Sequence, residues 1–260
     1  MSDEPVEAFR RSIEDGVRRL ERPPLGLAAT GMVGGLDVGL GVLALLVVDA
    51  RVDQPLLGAA AFGIGFIALT LASSELFTEN FLVPVAAVVA KDAPVWALGR
   101  LWIGTCAFNL LGGWIATGLI LVALPDVAPT AREVAAHSID LGIGTRSFAS
   151  AVIAGGALTL MTWMERSTAS VPGKVVAAWA VGFLVAAGPL QHSVVLSLEA
   201  FAALHAGASF GYLDWLGTFG WAVLGNMAGG LGLVTLMRLA QVGGAAIAEE
   251  RARPKPGEDD

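Results

Sequence analysis

Histidine is the side chain whose charge changes most readily near neutral pH. His192 stands just past a Gly188-Pro189 pair in an otherwise apolar stretch. Proline removes a backbone donor and clashes with the preceding turn, so GPLQHS at 188–193 reads as a break in a hydrophobic helix. An ionisable group in such a helix points to a transport path by default; a neutral imidazole bonded to a loop carbonyl is the structural alternative. A second polar interruption, SSELFTEN at 73–80, carries Glu75, Thr78 and Glu79. Thr78 can offer its hydroxyl to a passing solute, to His192, or to the cap of a helix restarting near Asn80. Glu79 suits the positive end of that helix, and Pro84 can open the continuation. Glu75, buried in low dielectric, must be paired, hydrated or protonated, with His192 as a candidate partner. A metal site from Glu75, Glu79 and His192 lacks a fourth ligand and a spacing signature. Neither a metal nor a cofactor is expected.

Other polar residues in apolar sequence have two readings each. Asn109 and Asn226 either donate an amide into a pore or hold the broken-helix loops, whose freed backbone groups need partners. Asp37, between Gly35 and Gly39, reads as a local bond to a neighbouring backbone or hydroxyl group, with a pathway role as the lesser reading. His137 falls in a polar loop and His205 at a span end, both solvated or interfacial. Cys106 has no partner and reads as packing. No nucleophile triad, phosphate loop or metal-ligand spacing appears, so an enzyme is not expected.

The elements that carry these residues occur twice. Shifted by 117 residues, Gly65-Phe66, Glu75 and Asn109-x-x-Gly112-Gly113 fall on Gly182-Phe183, His192 and Asn226-x-x-Gly229-Gly230. A repeat of this kind in apolar sequence joins two halves near the bilayer midplane, with ionisable residues at interrupted helices. Composition agrees: 55% hydrophobic, 15% charged and a mean hydropathy of +0.69 lie outside the range of soluble domains. The net charge of -7 identifies no partner, and none is expected among nucleic acids. Apolar run length places six spans near 25–48, 57–90, 94–124, 146–164, 174–206 and 214–239. The second and fifth are too long for one straight crossing. Gly31, Gly35 and Gly39 in the first span, and Gly225 with Gly229 in the last, form small-residue faces where helices cross closely.

Six spans leave thirteen lysines and arginines on one side and only Arg51, Arg132 and Arg146 on the other, so both termini are expected in the cytoplasm. The domain reading is an N-terminal amphipathic helix within residues 1–22, a six-helix channel domain at 23–241, and a disordered cytoplasmic tail at 242–260. Val6, Phe9, Ile13, Val17 and Leu20 form the apolar face of that first helix, which lies on the membrane or on a neighbouring subunit.

The sequence resembles the formate/nitrite transporter family. SELFTENFLVPVAAVVAK at 74–91 looks like the family's second-helix break, LGRLWIGTCAFNLLGG at 98–113 like its third helix, GKVVAAWAVGFLVAAGPLQHSVV at 173–195 like its fifth helix with a central histidine, and GNMAGG at 225–230 completes the match. The resemblance implies an all-α integral membrane protein: six transmembrane helices in two inverted three-helix repeats, aquaporin-like, with helices 2 and 5 broken. It implies a homopentamer in the inner membrane, one pore per protomer. His192 and Thr78 would meet at the pore centre between apolar constrictions at Phe62, Phe66, Leu76 and Val185, passing small monovalent anions such as formate or nitrite, or their weak acids, together with protons. Two departures stand out. A vestibule lysine of the family aligns with Ile139 and its partner asparagine with Gly155, while Glu79 adds a carboxylate beside the threonine. A pore of the same fold for neutral solutes or cations is the alternative.

Overall fold

The computed structural model describes residues 4–253. Helix α1 (Glu4–Leu20) buries Phe9, Ile13 and Leu20 and lies across α4 (Val83–Val89). The chain then turns into the long helices α2 (Pro24–Val52) and α3 (Pro55–Ala72). After a break come a 3-10 turn at Phe77–Phe81, α4 and then α5 (Trp96–Ala123). A short helix α6 (Ala128–Asp140) leads to α7 (Thr145–Ser167), α8 (Val171–Ala187), α9 (Ser193–His205) and α10 (Tyr212–Met227). The last of these runs through a π-helical stretch into α11 (Leu236–Val242), and α12 (Gly244–Ala252) follows. Proline sits in the first turn of α2, α3, α4, α6 and α8, where its missing N–H belongs to the unpaired set at a helix start and its φ is preset.

Among the described residues, five helical stretches are long and apolar enough to cross a membrane: Pro24–Val52, Pro55–Ala72, Trp96–Ala123, Thr145–Ser167 and Tyr212–Val242. The expected fifth span is not among them because the Gly188-Pro189 break divides it into α8 and α9, of 17 and 13 residues. The second is divided likewise: α3 ends where Ser73 takes a left-handed conformation, φ 56°, and α4 resumes with Pro84 in its first turn. That restart lies at Val83, not near Asn80. Residues expected in a polar loop around His137 form α6 instead. Disorder expected from 242 onward meets α12, tied to α1 by Arg10 Nε on Glu250 Oε1 at 2.6 Å; residues 254–260 lie outside the described part.

Glycines set the closest crossings. A side chain on Gly35 would strike the Asn109 carbonyl of α5, and one on Gly39 would press on Ala116. Gly225 and Gly229 meet α7 at Ala151 and Val152 in the same manner. Both small-residue faces therefore hold helices backbone to backbone, as van der Waals packing between apolar helices requires.

Candidate pore and broken-helix site

The two breaks are held by two asparagines in one pattern. Asn109 donates from Nδ2 to the carbonyls of Gly31 and Glu75, both at 2.8 Å, and accepts the Phe77 N–H at Oδ1, also 2.8 Å. Asn226 donates to the carbonyls of Ala151 (2.8 Å) and Gln191 (2.9 Å) and accepts the Ser193 N–H at 2.8 Å. Both N–H groups of each amide are spent on backbone carbonyls and each Oδ1 accepts a backbone N–H, the bonds that the loop-holding reading of Asn109 and Asn226 requires. The bond pattern also corrects the register. Asn109 to Asn226 is 117 residues, but Glu75 pairs with Gln191 and Phe77 with Ser193, an offset of 116. Leu76, not Glu75, is the counterpart of His192.

His192 caps α9 in an extended conformation, φ -84° and ψ 118°, and is fully buried. Its Nδ1 accepts the Val195 N–H at 3.3 Å and its Nε2 lies 2.8 Å from Thr78 Oγ1. An acceptor at Nδ1 places the ring proton of the neutral tautomer on Nε2, so the imidazole donates to the threonine hydroxyl. Residues 114 apart in sequence are thereby joined across the two breaks. Phe62, Phe66, Leu76 and Val185 belong to a single buried cluster, with Phe62 and Phe66 packed edge to face at 5.5 Å between ring centroids. A hydrogen-bonded imidazole and hydroxyl in an otherwise apolar core suit recognition of a small solute that has one or two hydrogen-bonding atoms.

Glu75 does not pair with His192. Its Oε1 lies 2.6 Å from Arg22 and 3.4 Å from Arg19, so the carboxylate belongs to the N-terminal helix. Glu79 accepts the Leu76 N–H at 3.4 Å and faces Arg19 at 3.7 Å; it stabilises the start of the 3-10 turn rather than a helix at Asn80. Arg19 is only 6% exposed and also donates to Asn80 Oδ1 at 2.9 Å. The loop is fastened further by Trp102 Nε1 on the Asn80 carbonyl and Thr235 Oγ1 on that of Phe81, both at 2.8 Å. Ser74 donates to Asp37, the local hydroxyl bond expected of that acid. Gly155 sits against the Asn226 carbonyl, so the residue aligned with the family's missing asparagine has no room for a side chain.

Arg19 and Arg22 as partners of the break were not legible in the sequence, because an amphipathic helix offers many basic residues and the choice is tertiary. Glu199 was also missed. The signal was available: it is the one charged residue in SVVLSLEAFAALH, seven residues beyond His192.

A family profile described as formate/nitrite transporter matches residues 6–240. The chain belongs to the formate/nitrite transporter family. It is similar to the uncharacterized transporter YrhG of Bacillus subtilis, 29% identical over 90% of this chain and 91% of that protein. Among solved structures, a formate/nitrite transporter family ion channel superposes with a TM-score of 0.83 at 21% identity, covering 90% of this chain and 98% of the other. A pentameric formate channel with formate bound gives 0.71 at 19% identity over 84% and 97%. The all-helical formate/nitrite transporter fold is thus established for this chain, and its family consists of transporters and channels.

Proposed function

We propose that this formate/nitrite transporter family member is a channel for small monovalent anions or their weak acids, with His192 and Thr78 as the central polar pair. The observation that carries the reading is the fully buried Nε2 to Oγ1 bond of 2.8 Å; Phe62, Phe66, Leu76 and Val185, all buried in the same apolar core, serve in this reading as its constrictions. A charge entering such a throat loses its hydration, which is costly unless it is paired or neutralised. Proton sharing with the imidazole relieves that cost, because the solute then crosses as the neutral acid, coupled to a proton. Formate is the default solute, supported by the bound formate in the pentameric relative.

The same reading gives the chain six passages in two inverted halves, an aquaporin-like arrangement supported by the matching asparagine clamps at the two breaks. The two termini share one face, where α1 and α12 pair, and the excess of lysine and arginine there marks it as cytoplasmic. The assembly is a homopentamer in the inner membrane, as in the pentameric relative. Glu79, the feature that favoured neutral solutes or cations, faces Arg19 at 3.7 Å, a guanidinium it shares with Asp15 and Glu75, which weakens that argument.

The decisive experiment is reconstitution in liposomes, with formate, nitrite and potassium uptake followed at acid and at neutral pH. Anion uptake that rises as pH falls and is lost in His192→Ala is expected. Uptake of potassium alone, or anion uptake indifferent to His192→Ala, would overturn the reading.

A further inference from the structure

A cavity of about 170 Å³ opens at the end of the molecule away from α1. Its walls include Asp49 near the far end of α2, Leu56 of α3, His137 of α6, Ala187 of α8, Pro189 of the break, and Glu199 of α9. It therefore borders directly on the interruption that carries His192. His192 caps α9 and Glu199 follows seven residues later. Seven residues make two helical turns, so the two side chains leave the same face about 10 Å apart along the axis. The Glu199 carboxyl has neither a hydrogen bond nor an ion pair with any described residue, whereas Glu75, Glu79 and Glu165 all have partners.

The groups around it leave that carboxyl without a counter-ion. From α2 comes Asp49, itself within Coulombic reach of Glu133 and Asp53, and from α6 come His137 and Glu133. Arg132 of α6 is spent on the Ala206 carbonyl at 2.7 Å. The only charged residue of α5, Arg100, bonds Leu20 at the opposite end, and Asp214 of α10 caps its own helix. An unpaired carboxyl in a small, largely apolar cavity is a poor receptor for an anion while ionised and a good hydrogen-bond donor while protonated.

We propose that this cavity is a loading site for a small weak acid, where the Glu199 carboxyl passes its proton to the incoming monovalent anion. The O–H bond of Glu199 breaks, an O–H bond forms on the solute, and the Glu199 carboxylate then takes a proton from hydronium in the solvent at the cavity mouth, so that one solvent proton is consumed per solute. The solute then moves along α9 to His192 and Thr78 as the neutral acid. This rests on the weak-acid channel reading above, and it supplies near the mouth the proton that the buried pair would otherwise have to supply alone.

The test is formate uptake into liposomes holding the full chain, with Glu199→Gln and Glu199→Asp compared with the native protein. The amide cannot give up a proton, so Glu199→Gln is expected to lower uptake about tenfold or more at neutral pH, to lose little at acid pH where solvent protonates the solute, and to be rescued by Glu199→Asp. Ala187→Phe, which fills the cavity without touching the carboxyl, is expected to lower uptake at both. A Glu199→Gln protein with the native pH profile overturns the proposal while leaving the channel reading intact. Loss of potassium flux with formate uptake unchanged overturns it too, by making the carboxyl a cation site. Native protein that passes no weak acid overturns both.

Discussion

Asn109 and Asn226 each replace one missing piece of helix with a single side chain. Opening a helix inside a membrane frees backbone donors and acceptors that no water can satisfy, and each amide answers with two donated bonds and one accepted bond. Removing one leaves two buried backbone groups of the break unpaired, the Glu75 carbonyl and Phe77 N–H or the Gln191 carbonyl and Ser193 N–H, at about 1 kcal/mol or more apiece. Asn226→Ala is therefore expected to cost about 2 kcal/mol or more and to lower the thermal midpoint in detergent; an unchanged midpoint would mean the break is held by something else. Sequence alone could not choose between pore and clamp for these residues, because an amide serves either, and only the position of the facing carbonyls decides.

At the scale of elements, α1 is bound into the transmembrane part by charge as much as by its apolar face. Arg19 holds Asp15, Glu75 and Glu79 within 3.7 Å and is itself buried. Breaking a buried pair from one side leaves uncompensated charge, a penalty of about 3–5 kcal/mol. Arg19→Met is expected to destabilise the protein by that order in urea unfolding, more than Arg18→Met, whose guanidinium is mostly exposed. Acid should loosen the same contact. Burial by itself would raise the Asp15 carboxyl, but Arg19, Arg166 and Arg18 outweigh it and hold it below its usual value. A lowered folded-state value gives stability that is complete above the ordinary carboxylate range and is lost as pH falls through the lowered one. Limited proteolysis of α1 should thus accelerate only below that range, and Asp15→Asn should remove the dependence.

For the whole molecule, the outer surface is the telling feature. Val122 and Leu213 are each 84% exposed and Ile103 is 74% exposed, on helices whose inner faces pack at glycine. Apolar side chains in such number on the outside need lipid or another subunit against them. Native mass spectrometry from detergent is expected to give five copies per particle; a monomer that conducts would refute the fivefold assembly and leave the pore in place.

Much of this was already written in the chain: the apolar runs that reappear as α2, α3, α5, α7 and α10, both interruptions, the glycine faces of the close crossings, and the amphipathic α1. These are local consequences of composition, period and proline, which depend on residues near one another in sequence. Tertiary structure alone decided the rest. It set the repeat register at the breaks, so that Leu76 rather than Glu75 faces the role of His192; it gave Glu75 to Arg22 rather than to the histidine; and it left Glu199 unpaired in a cavity. Each of these outcomes depends on which distant carboxylate, guanidinium or carbonyl comes within about 3 Å, and hydropathy carries no record of that distance.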